Sequence, residues 1–197
     1  MIWINRVLLN LKIFLYPFWL RIRLGFIKPN YGPKVFCIGY QKTGTTSVGH
    51  VFKELGFSHF SWYKPIYIKY RKGNIKSVIR FTSKFDSFDD LPWSDRHLIP
   101  ILVDEFPNSK FINLVRDIHE WKKSYKKYFK KKDQDVEEAF REYEKHQNFV
   151  RQFFANRQDQ LITVNVKDDN CYGKIAEFVG KPPSLFELKK MPHLNKS

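Results

Sequence analysis

Short apolar runs alternate along this chain with stretches whose apolar positions recur at helical spacing. Val35–Ile38 is a continuous apolar run, as expected of a strand buried on both faces of a parallel sheet. Ser47–Leu55 has helical spacing and is followed by Gly56, a good helix stop. Ser77–Thr82 reads as a second strand, and the following FDSFDDLPWSD reads as a loop. His97–Phe106 suits a helix, Lys110–Val115 a strand, and Asp117–Lys131 another helix. Asp135 and Glu138 have capping-box spacing and would open a long helix running to about Asn156. Leu161–Val166 is a further strand, and Cys171–Val179 a helix closed by Gly180 and Pro182–Pro183. Strands alternating with helices predict an α/β fold: a parallel central sheet flanked by helices on both faces.

The first 32 residues form a separate basic, apolar leader, and 33–197 the folded domain. Arg6, Lys12, Arg21 and Arg23 interrupt the leader, so its longest uncharged run is Ile13–Leu20. A spanning helix needs about 20 mostly apolar residues, and no small-residue cleavage site follows. Two expectations remain: a basic amphipathic helix on an anionic membrane surface, or a helix packed on the domain. The expected location is cytoplasmic, peripheral at a membrane if the leader binds one.

Composition narrows the partners. At 197 residues the chain suffices for one domain with a sizeable core. With 43% hydrophobic and 17% aromatic residues it is globular rather than disordered. Cys37 and Cys171 are too few for a disulfide framework and point to a reducing compartment. The net charge of +15 calls for anionic company, without saying whether nucleotide, nucleic acid, lipid or acidic glycan. Two segments concentrate it. Leu55–Phe85 has no acidic residue but holds Lys64, Lys69, Arg71, Lys72, Lys76, Arg80 and Lys84. Residues 121–132, WKKSYKKYFKKK, hold seven lysines. Lys123, Lys126, Lys127, Lys130 and Lys131 recur there at spacings of three and four, either as an electrostatic funnel or as a solvated helix face.

The chemistry centres on residues 35–57, VFCIGYQKTGTTSVGHVFKELGF. A strand, a glycine-containing turn and a helix start make an anion cradle, because unpaired N–H groups at the helix N-terminus point at the ligand. A nucleotide-triphosphatase loop reads G-x-x-x-x-G-K-[ST]. Here Gly39 and Gly44 have that separation, but Thr45 stands in the lysine's place and the lysine, Lys42, lies inside the loop. The cradle survives this change, and the usual lysine reach to β- and γ-phosphates does not. No acidic strand end offers itself for magnesium, so the loop should hold a short anion without a metal.

YQKTGTTS resembles the 5′-phosphosulfate loop of the sulfotransferases that use 3′-phosphoadenosine-5′-phosphosulfate. The resemblance implies a P-loop-like sulfotransferase architecture. It also implies that Lys42 reaches the bridging oxygen between phosphate and sulfate, and that Gln41, Thr43, Gly44, Thr45, Thr46 and Ser47 bind the donor around it. KFINLVRDIHEWKKSY has the family's strand-end arginine with a serine eight residues later, implying that Arg116 and Ser124 hold the 3′-phosphate. KFDSFDDLPW resembles the D-x-x-x-D-x-P segment of one branch. By position Asp90 is the first candidate for the general base and Asp86 the second; alternatively, these carboxylates cap the next helix or pair with lysines. MPHLN near the end resembles the family's closing P-H-x-N. Two departures stand out. Ser47 occupies the place where cytosolic members carry an adenine-stacking tryptophan, and the R-K-G segment is missing, so the adenine clamp has no assigned residue.

The implied partners are a nucleotide donor and a hydroxyl-bearing (or amine) acceptor, such as a glycan or lipid-linked sugar, with no metal and no specific nucleic acid. A basic nucleic-acid- or anion-binding protein is the alternative of another class. A small P-loop kinase is disfavoured by the displaced lysine, and magnesium dependence would discriminate it.

Overall fold

The computed structural model describes residues 27–182 and 190–192; the expected leader lies almost wholly outside them. Five strands form one sheet: β1 (Val35–Cys37), β2 (His59–Phe60), β3 (Ser87–Asp89), β4 (Lys110–Leu114) and β5 (Leu161–Val164). Their spatial order is β2-β3-β1-β4-β5 and every pair is parallel. Among the described residues seven helices accompany them: α1 (Thr45–Glu54), α2 (Lys64–Arg71), α3 (Ile75–Thr82), α4 (Ile99–Glu105), α5 (Ile118–Phe129), α6 (Asp133–Phe153) and α7 (Cys171–Phe178).

The two faces of the sheet follow from the period-2 alternation of its central strands. Val35 and Cys37 of β1, with Ile112 and Leu114 of β4, pack under α1 and α7 against Val48, Phe52, Tyr172 and Ile175. Phe36 and Phe111 point the other way, and Phe36 stacks between Phe88 and Phe111 at 5.5 and 5.2 Å. All three rings are fully buried, each stabilising the fold by roughly 1.5–3 kcal/mol.

The observed boundaries differ from the expected ones in three places. Ser77–Thr82 belongs to a helix, not a strand. Asn74 caps α3 by accepting the Ser77 N–H at 3.1 Å, and the buried Val78, Ile79 and Thr82 keep helical spacing while Lys76 and Arg80 face solvent. The segment expected as a loop contains β3, which is buried between β1 and β2 although it ends in Asp89. The long helix α6 starts at Asp133, and Asp135 accepts the N–H of Lys132 at 3.4 Å rather than opening the helix itself. Among the described residues no helix is long and apolar enough to cross a membrane.

Candidate functional site

In a parallel sheet the turns that follow neighbouring strands emerge at one edge, where open α/β folds bind their ligands. The turns after β1, β3, β4 and β5 meet at that edge around a cavity of about 610 Å³. Its wall includes Gln41, Lys42, Thr43 and Gly44 from the first turn with Thr45, Thr46 and Ser47 from the start of α1, Asp90 from the second turn, Arg116 from the third, and Ser124 from α5 behind it.

The turn after β1 lines the cavity. Four of its carbonyls accept side-chain donors. His146 Nε2–H of α6 donates to Ile38 O at 2.8 Å, and the Thr43 hydroxyl donates to Tyr40 O at 2.5 Å. The Trp121 indole N–H of α5 donates to Gln41 O at 2.9 Å, and Arg116 Nη1 donates to Lys42 O at 2.9 Å. With these four carbonyls engaged, fewer acceptors of the turn are left to oppose an anion. Each such bond contributes about 0.5–1.5 kcal/mol net, enough together to fix one loop conformation. Two residues take left-handed backbone, Gly44 at φ 110° and Lys42 at φ 67°. A Cβ on Gly44 would lie 2.7 Å from Val166, so glycine is needed for both space and conformation. A non-glycine residue such as Lys42 in that region is uncommon and marks a site whose surroundings enforce it.

Helix α1 then begins at Thr45 with no side-chain cap and no acidic residue in its first turn. Its leading N–H groups and positive dipole end are therefore directed at the cavity. The Lys42 ammonium lies 3.8 Å from the centre of the Tyr128 ring. Burial, with the nearby Arg116 charge, holds its pKa below the ordinary lysine value. Arg116 Nε lies 3.6 Å from Glu120, which also pairs with Lys167 at 2.5 Å on the same wall. Ser124 is buried two turns along α5.

Asp90 follows β3 directly. It too adopts left-handed backbone, at φ 63°, and its carboxylate accepts the Leu91 N–H at 2.7 Å. Burial raises its pKa above the ordinary carboxylate range; the Leu91 bond opposes this and the neighbouring Asp89 charge reinforces it. Asp86 is not brought to this cavity. It precedes β3, at the opposite edge of the sheet about 10 Å away along a three-residue strand, where it accepts the Ser58 N–H at 3.0 Å. That local bond, rather than a place beside the anion cradle, is its observed role.

Several wall residues were not singled out from the sequence. Trp62, Tyr128 and Phe129 bring aromatic rings to the cavity, and Asn165, Val166 and Lys167 arrive from the turn after β5. Behind the wall, His59 Nε2 lies 3.4 Å from Asp89, both side chains buried, and a Cβ on Gly49 of α1 would lie within 2.8 Å of the pair. Of the closing MPHLN, Met191 is buried in the core and the Pro192 carbonyl accepts the Ser47 hydroxyl at 2.6 Å; His193, Leu194 and Asn195 lie outside the described residues. Of the seven lysines in 121–132, Lys122, Lys126 and Lys131 pair with Glu137, Asp133 and Asp135 of α6.

The arrangement offers an anion cradle with one lysine inside it, an arginine and serine beside it, and a carboxylate of raised pKa in the turn after the adjacent strand. A family model described as a sulfotransferase domain matches residues 34–140, which include all of these groups. In a search of curated proteins nothing matches the chain.

Proposed function

The chain belongs to the sulfotransferase family, and from that premise we propose that it moves a sulfuryl group from 3′-phosphoadenosine-5′-phosphosulfate to a hydroxyl acceptor, with no metal taking part. The observation that carries this is the turn after β1, with four of its carbonyls engaged and Lys42 held within it. A turn with four carbonyls engaged, leading into an uncapped helix N-terminus, suits a short anion, and a lysine inside it suits a leaving group more than the outer phosphates of a triphosphate.

The step balances with the residues at hand. Asp90 would take the proton of the acceptor hydroxyl while its oxygen bonds to sulfur. The bond from sulfur to the bridging phosphate oxygen breaks, and Lys42 would meet the charge that develops on that oxygen. Arg116 and Ser124 would hold the 3′-phosphate. The acceptor we favour is an alcohol on a sugar, because exposed Trp62 and Tyr128 line the same cavity and offer flat apolar surface to a sugar ring.

The test is transfer of labelled sulfate from this donor to a panel of hydroxyl acceptors, with and without a chelator. Transfer that is unaffected by chelation is expected. Magnesium-dependent phosphoryl transfer from a nucleoside triphosphate, with no sulfuryl transfer, would replace the proposal by a kinase.

A further inference from the structure

The basic segments of this protein are neutralised unequally. Helix α5 lies against α6, which supplies acids to three of the seven lysines in 121–132, namely Lys122, Lys126 and Lys131, leaving Lys123, Lys127, Lys130 and Lys132 outside any ion pair among the described residues. The packed pair α2–α3 has no such neighbour. Lys64, Lys69, Arg71, Lys72, Lys76 and Arg80 are all exposed, and none is in an ion pair among the described residues. Like charges so gathered repel one another, and a solvated face gains nothing from the complete exclusion of acids between Leu55 and Phe85. Such a surface is relieved when a polyanion displaces its counterions.

Its position gives the polyanion a role. Trp62 stands on the cavity wall, half exposed, and α2 begins two residues later at Lys64. A chain with one hydroxyl beside Asp90 would leave the cavity past the Trp62 ring and reach the cations of α2 and then α3. An anionic bilayer fits less well. Interfacial binding needs a broad apolar face, and on these helices the exposed large hydrophobic side chain is Ile68 alone.

We propose that α2–α3 is an extended subsite for an anionic polysaccharide, so that the acceptor is a polymer already carrying carboxylates or sulfates. Calling the polymer an acceptor rests on the proposed sulfotransferase function; the binding surface does not. Two variants of equal charge separate the possibilities. One carries Lys69→Gln, Lys72→Gln, Lys76→Gln and Arg80→Gln. The other carries Lys122→Gln, Lys126→Gln, Lys131→Gln and Lys145→Gln, all lysines paired with acids.

Binding of the full chain to chondroitin sulfate, dextran, single-stranded DNA and phosphatidylserine vesicles is measured across salt. The wild type is expected to bind chondroitin sulfate and not dextran. The α2–α3 variant should lose at least about ten-fold in affinity, its salt slope shrinking by roughly one unit per contacting cation lost, on the scale known for phosphate polyanions. The other variant should stay close to wild type. Equal losses in both variants, no loss in the first, or stronger binding to vesicles or DNA than to chondroitin sulfate would overturn the proposal. Binding of adenosine 3′,5′-bisphosphate is read in parallel. Its absence in the wild type would fail the sulfotransferase assignment, while the polysaccharide result would still decide the surface.

Discussion

Two turns at one edge of the sheet carry the proposed chemistry, and they are held in different ways. The turn after β1 places Lys42 at φ 67°, and the turn after β3 places Asp90 at φ 63°. Both put a non-glycine residue in left-handed backbone, yet the first is braced from outside and the second from within. Trp121, Arg116 and His146 reach the first turn from elements 74 to 108 residues away. Asp90 is fixed chiefly by the N–H of the next residue and by its place after a buried strand. The proposed donor side is thus held by tertiary contacts, whereas the proposed acceptor side depends on local geometry and burial. Damage to the bracing should loosen the nucleotide, and damage at Asp90 should slow chemistry while leaving the nucleotide bound.

The largest separation is expected from Asp90→Asn. Loss of the base should lower turnover by about 10²–10⁴-fold with adenosine 3′,5′-bisphosphate binding intact. The sign with pH follows from the raised pKa of Asp90. The active form is the ionised carboxylate, so wild-type turnover falls as pH drops through that raised value, and the variant lacks this acidic limb. A pH–rate profile of both proteins checks it; an acidic limb unchanged in the variant assigns the base elsewhere.

Lys42→Ala comes next, with a loss of at least about 10²-fold in turnover if its charge meets the leaving oxygen. The pKa of Lys42 is lowered, so wild-type activity also declines on the alkaline side as the ammonium deprotonates, earlier than for an ordinary lysine. That limb should vanish in the variant. Unchanged thermal unfolding would show that the loss is not one of folding.

A smaller effect tests the bracing itself. Trp121→Phe keeps a ring but removes the donor to Gln41 O. One such bond contributes about 0.5–1.5 kcal/mol, so bisphosphate affinity should fall by roughly three- to ten-fold with little change in the bound enzyme's rate. An equal fall in rate and affinity would erase the distinction between the two turns.

The sequence made the first turn legible because its signals are local. K-T-G-T-T after an apolar run specifies a strand, a turn needing Gly44 and a helix start, all within about ten residues. Its supports were not legible. Nothing in the spacing of Trp121 or His146 says that each donates to a carbonyl of a turn 80 or 108 residues distant. The second turn was half legible. Asp90 stood out before Leu91–Pro92, but β3 was hidden because a strand ending in aspartates carries no apolar run, and Asp89 is buried beside His59 rather than solvated. Asp86 stood second to Asp90 as a candidate base, and β3 separates the two to opposite ends of the strand. Ser77–Thr82 was misread because six residues with four apolar or β-branched members suit either period, and the deciding cap, Asn74, lies outside the run.

The central claim is that the cradle after β1 and the Arg116 side chain hold a nucleotide with both a 5′- and a 3′-phosphate. Calorimetric titration of the wild type and Arg116→Ala with adenosine 3′,5′-bisphosphate and with adenosine 5′-monophosphate tests it directly. The wild type should bind the bisphosphate more tightly. Arg116→Ala should weaken the bisphosphate by about 2–5 kcal/mol and the monophosphate far less, because only the former has the group Arg116 would grip. Equal weakening of both ligands would mean that Arg116 serves only to hold the Lys42 carbonyl, and no binding of either by the wild type would contradict the donor site altogether.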